Sequence, residues 1–550
     1  MTFRMRFVAM AAASGLAAVL ALGQAVHAQH DHAHDSAAVD TEAKIGAVNF
    51  RVDCDDGVVE DFDRALAMLH HMMYEQARGQ FAAIAEADPD CAMAYWGVAT
   101  TLFQPLWGTR PPEADLKRGW SKSKKAAERA ESEREQALIK ATAAFFRDPE
   151  TADYATRQER WANAMKAAYE AEPDDEDIAA LFALSRLALA QVADDPNPLH
   201  DKAEEVLRAV HARNSTHPGA IHYLIHSDDI DGRAERNLEI VETYGEIAPN
   251  VAHALHMPSH IHVRLGNWPE VIEWNRRSAQ AALEHPAGDH VSLHYPHAQD
   301  YMVYAHLQRG EDGAAGRELE ATFEHGEMQH HPGVAFPVAA MPARIAVEQR
   351  DWARAAELPV REPDYLPWDE PMGLWAESLT WLARGLGAVH TGDSDGAEKA
   401  RSRIAELRQT ALERGERRFA DYIHIEELIL AGWIAKAEGE AEKAVALVRE
   451  AAEVEARVEK HPITPGALLP PNEALGDLLV ELGRPEDALA AYRASDAIWP
   501  GRYNTLLGAG RAAELAGDDR AAKQWYARLV EVAPDSERPT IEQARELAVM

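Results

Sequence analysis

Histidine is concentrated in the middle of this chain. Fourteen of its 26 histidines fall within residues 222–331, which make up a fifth of the 550 residues. His253, His256 and His260 have i, i+3 and i+7 spacing. Residues with this spacing lie on one face of an α-helix. The sequence therefore predicts a helix face lined with imidazole rings.

Two neighbouring segments add side chains of the same chemistry. His222 and His226 form an i, i+4 pair, with Asp229 one turn later, while His297 and Asp300 share one helix face further along the chain. Neutral imidazole is the commonest metal ligand, and an i, i+4 pair can hold one ion while another helix completes the coordination. Donor sets of histidine and carboxylate suit Zn, Fe, Mn or Cu.

These segments together predict a transition-metal site. The predicted ligands are His222, His226, His253, His256, His260, His297 and Asp300, with Asp229 and Tyr304 as groups that orient them or bind a ligand. A metal-free site with a histidine general base and an orienting carboxylate is an alternative. An isolated histidine pair is more often packed or solvated, so the metal prediction depends on the agreement of three segments.

Self-similar sequence near the C-terminus predicts how these segments are positioned. Five residue pairs repeat there at a spacing of 34. A small residue at a helix crossing, Gly at the turn, Ala and an aromatic on the second helix and Pro at the exit form the tetratricopeptide (TPR) pattern. The pairs are Gly476 and Gly510, Gly483 and Gly517, Ala488 and Ala522, Tyr492 and Tyr526, and Pro500 and Pro534.

The same register extends upstream. It places the histidines at positions 2, 5 and 9 of the first helix in three consecutive units. These positions are expected to line the concave groove of a TPR superhelix, side by side. Unit starts are predicted at Val58, Pro218, Ala252, Pro296, Ser378, Ile425, Leu469 and Tyr503, and irregular insertions at 194–199, 285–294, 361–372 and 461–471.

The predicted fold is all-α, a TPR-like superhelix of helical hairpins, or α-solenoid. A single hairpin cannot bury its apolar face, so the units must stack. No segment shows the alternating pattern of a strand. The predicted organisation is a signal peptide at 1–28, a His/Asp-rich segment at 29–50, TPR-like and irregular pairs at 51–213, central units with the histidines at 214–360, and C-terminal units at 361–550, clearest at 469–536.

The N-terminus predicts export to the periplasm or the cell exterior. Arg4 and Arg6 precede an apolar stretch, and a small-residue cleavage site ends at Ala28. The two cysteines, Cys54 and Cys91, are predicted at the same end of a helical hairpin, where a disulfide is possible in an oxidising compartment. Two free buried thiols are the alternative.

The charge balance limits the partners. A formal net charge of −35 disfavours nucleic acid and anionic lipid surfaces. No later stretch is long and apolar enough to predict a membrane span. The expected partners are a peptide, a protein or a small molecule in the groove.

Several longer motifs resemble a family of secreted bacterial TPR proteins. These are DPDCAMAYWG (88–97), PGAIHYLIHSDD (218–229), HALHMPSHI (253–261), HAQDYMVYAHLQ (297–308) and TPGALLPPNEALGDLL (464–479). The resemblance spans nearly the whole mature chain. It implies the TPR fold and a shared motif set that includes the predicted ligands and Asp229.

The sequence thus predicts an exported TPR-repeat protein with a ligand or partner in its groove and a His/Asp transition-metal site in its central repeats. A metal-dependent hydrolase or oxidoreductase on the same scaffold is one alternative. A metal-free scaffold for protein interactions is the other.

Overall fold

The computed structural model of the protein describes residues 44–48, 50–107, 110–193 and 195–549. The predicted signal peptide and most of the His/Asp-rich segment therefore lie outside the described residues. Within these ranges the secondary structure is helical, with two isolated β-bridges and no strand. The all-α prediction is confirmed. None of the described helices has the length and apolarity needed to cross a membrane.

The first third of the chain forms helical hairpins in which each helix packs on the next one in sequence. A short 3-10 helix at Asp56–Val58 precedes them. The α-helices are α1 (Val59–His70), α2 (Tyr74–Ala87), α3 (Ala92–Thr100), α4 (Glu113–Ala127), α5 (Glu133–Phe146), α6 (Tyr154–Ala171), α7 (Glu176–Ala190) and α8 (Asn197–Arg213).

The central helices are shorter and more often interrupted. They are α9 (Pro218–Asp228), α10 (Leu238–Glu242), α11 (Tyr244–Ile247), α12 (Ala252–His256), α13 (Pro258–Leu265), α14 (Trp268–Glu284), α15 (His294–Gln308), α16 (Asp312–Thr322), α17 (Pro332–Glu348) and α18 (Trp352–Ala356).

The last third has long, regular pairs. They are α19 (Pro371–Thr391), α20 (Ser394–Glu413), α21 (Arg417–Ala437), α22 (Ala441–Glu455), α23 (Pro471–Glu481), α24 (Pro485–Ile498), α25 (Tyr503–Leu515), α26 (Asp519–Val532) and α27 (Thr540–Val549).

The repeated glycine and tyrosine explain the C-terminal hairpins physically. A Cβ atom on Gly476 of α23 would lie 2.7 Å from the ring of Tyr492 on α24, and one on Gly510 of α25 would lie 2.6 Å from the ring of Tyr526 on α26. Each tyrosine ring therefore packs directly on glycine backbone where the two helices cross. Gly483, at the turn between α23 and α24, has φ +70°, which favours glycine.

A disulfide joins Cys54 and Cys91, with an S–S distance of 2.06 Å. Cys54 precedes α1, and Cys91 is the residue directly before α3. The bond therefore lies at one end of the α1–α2 hairpin, as the repeat register predicted.

Pro258 divides the histidine-rich helix into two segments. α12 ends at His256 and α13 begins at Pro258, the first-turn position where proline is tolerated. Met257, between them, keeps helical backbone angles of φ −55° and ψ −40°. His256 and His260 therefore remain neighbours on one face.

Residues 456–470, here called the covering segment, connect α22 to α23 and pack on the central helices. Lys460 Nζ lies 3.1 Å from a carboxylate oxygen of Asp229. The Tyr301 hydroxyl of α15 donates to the Pro462 carbonyl at 2.9 Å, and Arg344 of α17 donates to the Gly466 carbonyl at 2.9 Å. The predicted insertion at 461–471 thus covers the histidine-bearing helices α13 and α15.

Candidate metal centre

Four helices bring six of the predicted ligands together in two groups of three. Within each group the candidate ligand nitrogens lie within 4.8 Å of one another. The N-terminal triad consists of His222 and His226 on α9 and His253 on α12, and the C-terminal triad consists of His256 on α12, His260 on α13 and His297 on α15. All six rings are buried except His226, which is half-buried.

Hydrogen bonds fix the proton positions in the C-terminal triad. His256 Nδ1 lies 2.6 Å from Asn275 Oδ1, and the Asn275 amide nitrogen donates to the Val271 carbonyl at 2.7 Å. This second bond settles the amide orientation, so His256 Nδ1 must be the donor. His260 Nδ1 donates in the same way to Asp229 Oδ2 at 2.9 Å. Each neutral ring therefore has its lone pair on Nε2.

The two Nε2 atoms of His256 and His260 face each other at 2.9 Å. Burial lowers the pKa of both imidazoles, most strongly that of His256, so both rings are neutral near pH 7. Two lone pairs at this distance repel each other unless a cation or a shared proton lies between them. The arrangement is that of two ligands oriented by hydrogen bonds from their other nitrogen.

Asp229 lies beside His260, where the sequence analysis expected a group that orients the ligands. Besides accepting from His260, it accepts from Arg264 Nε at 2.9 Å and pairs with Lys460 Nζ at 3.1 Å. The nearby positive charges of Lys460 and Arg264 outweigh burial and hold the pKa of Asp229 well below its usual value. Asp229 is therefore ionised but already neutralised by its own partners.

The N-terminal triad presents nitrogens without partners. His222 Nδ1 donates to the His70 carbonyl at 2.6 Å, which leaves the lone pair on Nε2. Among the described residues this Nε2, the buried Nε2 of His226 and both ring nitrogens of His253 have no hydrogen-bond partner. Burial lowers the pKa of His226 to about 3 and that of His253 well below 6.5. Unpaired buried nitrogens of neutral imidazoles are costly unless a cation or donor uses them.

A third histidine group is already satisfied. His70 Nε2 and His217 Nε2 both donate to Asp177 Oδ1, at 2.9 and 3.2 Å. His70 Nδ1 accepts from the Tyr223 hydroxyl, and His217 Nδ1 accepts from the amide of Ala220 at the start of α9. With every ring nitrogen partnered, this group anchors α9 against α1 and α7.

Asp300 and Tyr304 depart from the prediction. Asp300 Oδ1 accepts from Arg344 Nε at 2.8 Å, and the Tyr304 hydroxyl accepts from Arg502 at 2.8 Å. Both side chains are buried with these arginines. The structure thus removes Asp300 from the predicted ligand set and Tyr304 from its supporting groups. Arg344 of α17 binds Asp300, and Arg502, directly before α25, binds Tyr304. The repeat register predicted which helix face carries Asp300 and Tyr304, but it could not predict the arginines that bind them.

Several residues beside the two triads were not predicted as site residues from the sequence. His294, assigned to a loop from sequence, is the first residue of α15, and its ring lies 5.2 Å from the His253 ring. The Trp107 ring lies 5.3 Å from the ring of His253. Pro462 of the covering segment lines a small cavity of about 20 Å³ together with histidines of both triads. For the covering segment there were two sequence signals, the irregular insertion at 461–471 and the TPGALLP motif, but they did not predict the contacts.

A second, apolar cavity of about 80 Å³ adjoins the site and shares His461 with the smaller one. Two carboxyl groups lie among its aromatic walls. Burial raises the pKa of Glu426 to about 8 and that of Glu455 to about 7. Its aromatic lining consists of Phe336, Trp375, Tyr422 and Trp499.

The raised pKa of about 8 keeps the Glu426 carboxyl largely protonated near pH 7, and its two oxygens have partners. Its Oε1 accepts from Trp375 Nε1 at 2.9 Å, while Oε2 contacts the hydroxyl of Ser378. That hydroxyl already donates to the Trp375 carbonyl at 2.7 Å. The Ser378 hydroxyl is thus shared between the Trp375 carbonyl and Glu426.

Comparisons with known proteins add little beyond this geometry. No protein-family model matches the sequence, and no curated protein matches it. Solved structures match the chain only at low similarity, and three of them are given below. Their TM-scores near 0.3 carry no argument about function, and the family suggested by the motifs stays a resemblance.

One of the three is named as a tetratricopeptide repeat protein. The APC/C hetero-tetramer Cut9-Hcn1 is 10 % identical, with 89 % of this chain and 96 % of that chain covered and a TM-score of 0.29. A tetratricopeptide repeat protein from Parabacteroides merdae ATCC 43184 is 12 % identical, with 54 % and 99 % covered and a TM-score of 0.30. Yeast Tom70 is 12 % identical, with 90 % and 95 % covered and a TM-score of 0.30.

Proposed function

We propose that this chain is an exported TPR-repeat protein that binds a transition-metal ion through the C-terminal triad. The observation that carries the proposal is the 2.9 Å approach of the two unprotonated Nε2 atoms of His256 and His260. Asn275 and Asp229 hold both rings in the tautomer that a metal requires. His297 supplies the third nitrogen. Three imidazoles can bind Zn, Fe, Mn or Cu, and the absence of a free carboxylate among these donors favours Zn or Cu.

The ligand or partner is the second part of the proposal. The covering segment packs on α13, α15 and α17, so an extended peptide cannot lie on that part of the groove without displacing it. The apolar cavity shared through His461 instead suits a small, largely apolar molecule that hydrogen-bonds to Glu455, whose Oε2 has no partner among the described residues. A protein or peptide partner would use the repeats outside the covering segment.

A metal-dependent enzyme is the second candidate function. It is favoured by the cavity of about 20 Å³ beside both triads, which is large enough for about one water molecule. A metal ion with an open position next to water supports hydrolysis, and a redox-active ion supports oxidation. Both reaction classes fit the same donors.

Cobalt substitution tests the metal site. We expect untagged protein to bind Co(II) with the visible absorption of a low-coordinate nitrogen site, and Zn(II) to displace it. The double variant His256→Ala, His260→Ala should lose this signal. The double variant His325→Ala, His330→Ala removes two exposed loop histidines and should retain it. Equal cobalt binding by both double variants would overturn the proposal.

A further inference from the structure

The N-terminal triad has the features of a second metal site. Its three rings come from α9 and α12, with centroids 5.0 Å apart for His222 and His226 and 4.9 Å apart for His222 and His253. The His70 carbonyl fixes the His222 tautomer with Nε2 free to coordinate. No described residue donates to or accepts from the unpaired nitrogens.

The two triads lie against each other. The rings of His226 and His260 are 6.0 Å apart, and those of His253 and His256 are 6.1 Å apart. His226, His253, His260 and His297 line one cavity. Ions bound by the two triads would therefore be neighbours in a single buried site.

Charge limits which ions can be neighbours there. The six donors are neutral imidazoles. The ionised carboxylates near them are already paired, Asp229 with Arg264 and Lys460, and Asp300 with Arg344. Two divalent ions would add four positive charges to a buried site without a free anionic ligand. The desolvation cost of an ion grows with the square of its charge, so monovalent ions are strongly favoured.

Copper(I) is the monovalent ion that fits these donors. It is soft, accepts neutral nitrogen and thioether ligands and is stable with three of them, whereas harder ions prefer oxygen ligands. The Met72 side chain also lines the cavity. We propose that the two triads bind a pair of copper(I) ions, one in each triad. This inference rests on the proposed function for the C-terminal triad and adds the second ion and the identity of both.

Anaerobic titration with Cu(I) against the chromophoric chelator bicinchoninate tests the pair. The full chain is used with His30, His32 and His34 replaced by serine, so that the N-terminal tail adds no ligands. We expect two Cu(I) ions per chain. The variants His222→Ala, His226→Ala and His256→Ala, His260→Ala should each bind one, while His325→Ala, His330→Ala should bind two.

Each outcome is decisive. A parent that binds one ion, or an N-terminal variant that still binds two, overturns the pair and leaves the proposed function intact. A parent that binds no Cu(I) overturns the copper pair, and the Co(II) titration described above then decides the proposed function. Displacement of both ions by a modest excess of Zn(II) overturns the copper assignment alone. The single variant His226→Gln, checked by circular dichroism, replaces the double variant if that chain fails to fold, and it too should bind one ion.

Discussion

At the scale of single residues, the site depends on which ring nitrogen carries a proton. The sequence predicted that the six imidazoles lie close together. Helix periodicity placed them on helix faces, and the repeat register placed those faces side by side. The sequence could not identify the tautomers, because Asn275 and the His70 carbonyl come from other helices. For the same reason it could not foresee that Arg344 binds Asp300.

Replacing Asn275 should weaken metal binding without unfolding the protein. In Asn275→Leu, His256 loses the acceptor for its Nδ1 proton and no longer holds its lone pair on Nε2. Loss of such an orienting partner lowers metal affinity by about 10- to 100-fold. The measurement is the dissociation constant for Co(II) by chelator competition. Gln280→Leu, at an exposed position on the same helix, is the control, and equal affinity in both variants would contradict the role of Asn275.

Glu426 should make the protein less stable as the pH rises. Its pKa is raised from 4.5 to about 8 in the folded state, so its contribution is complete below about pH 4.5 and is lost as the pH rises through about 8. Glutamine keeps both hydrogen bonds without this titration. Glu426→Gln should match the parent at pH 4.5 and be roughly 1 to 3 kcal/mol more stable at pH 8. Urea unfolding at both pH values measures this, and a variant that is less stable at pH 8 would refute it.

At the scale of helices, the 34-residue repeat predicted the C-terminal hairpins well because its glycines and tyrosines contact each other directly. The central helices were harder to predict in detail. Pro258 divides one repeat helix into α12 and α13, and His294 extends α15 into a segment that looked like a loop. The missing N–H of Pro258 accounts for the first feature, and the repeat spacing gave no signal for the second.

Gly510 provides a test of the repeat contact. An added methyl group would lie 2.6 Å from the Tyr526 ring, so Gly510→Ala should destabilise the protein by about 1–3 kcal/mol. Gly316→Ala is the control, because nothing lies within 4 Å of its Cβ position on α16. It should be neutral or stabilising by roughly 0.5–1 kcal/mol. Thermal unfolding measures both, and the same shift for the two variants would contradict this packing.

At the scale of the whole molecule, the covering segment joins the C-terminal repeats to the central site. Lys460, Pro462 and Gly466 contact residues more than 100 positions away in sequence. The sequence marked residues 461–471 only as an insertion, since contacts of such long range leave no local pattern. Residues His461, Pro462 and Ile463 of the covering segment line the small cavity beside the two triads.

Arg344 should be critical for the packing of the covering segment on the central helices. Arg344→Met leaves Asp300 buried without its cation, which costs about 3–5 kcal/mol for a buried pair. It also releases the Gly466 carbonyl, so proteolysis should increase within residues 456–470. Asp300→Asn combined with Arg344→Met should recover part of the stability. Arg528→Met, at an exposed ion pair, should change neither quantity. Unchanged stability of Arg344→Met would contradict this account.

The most direct test of the metal centre is elemental analysis of untagged protein after reconstitution and removal of loosely bound ions. The account predicts at least one tightly bound transition-metal ion per chain in the parent and a clear loss in His256→Ala, His260→Ala. Metal content well below one ion per chain in the parent, or undiminished content in the variant, would contradict it.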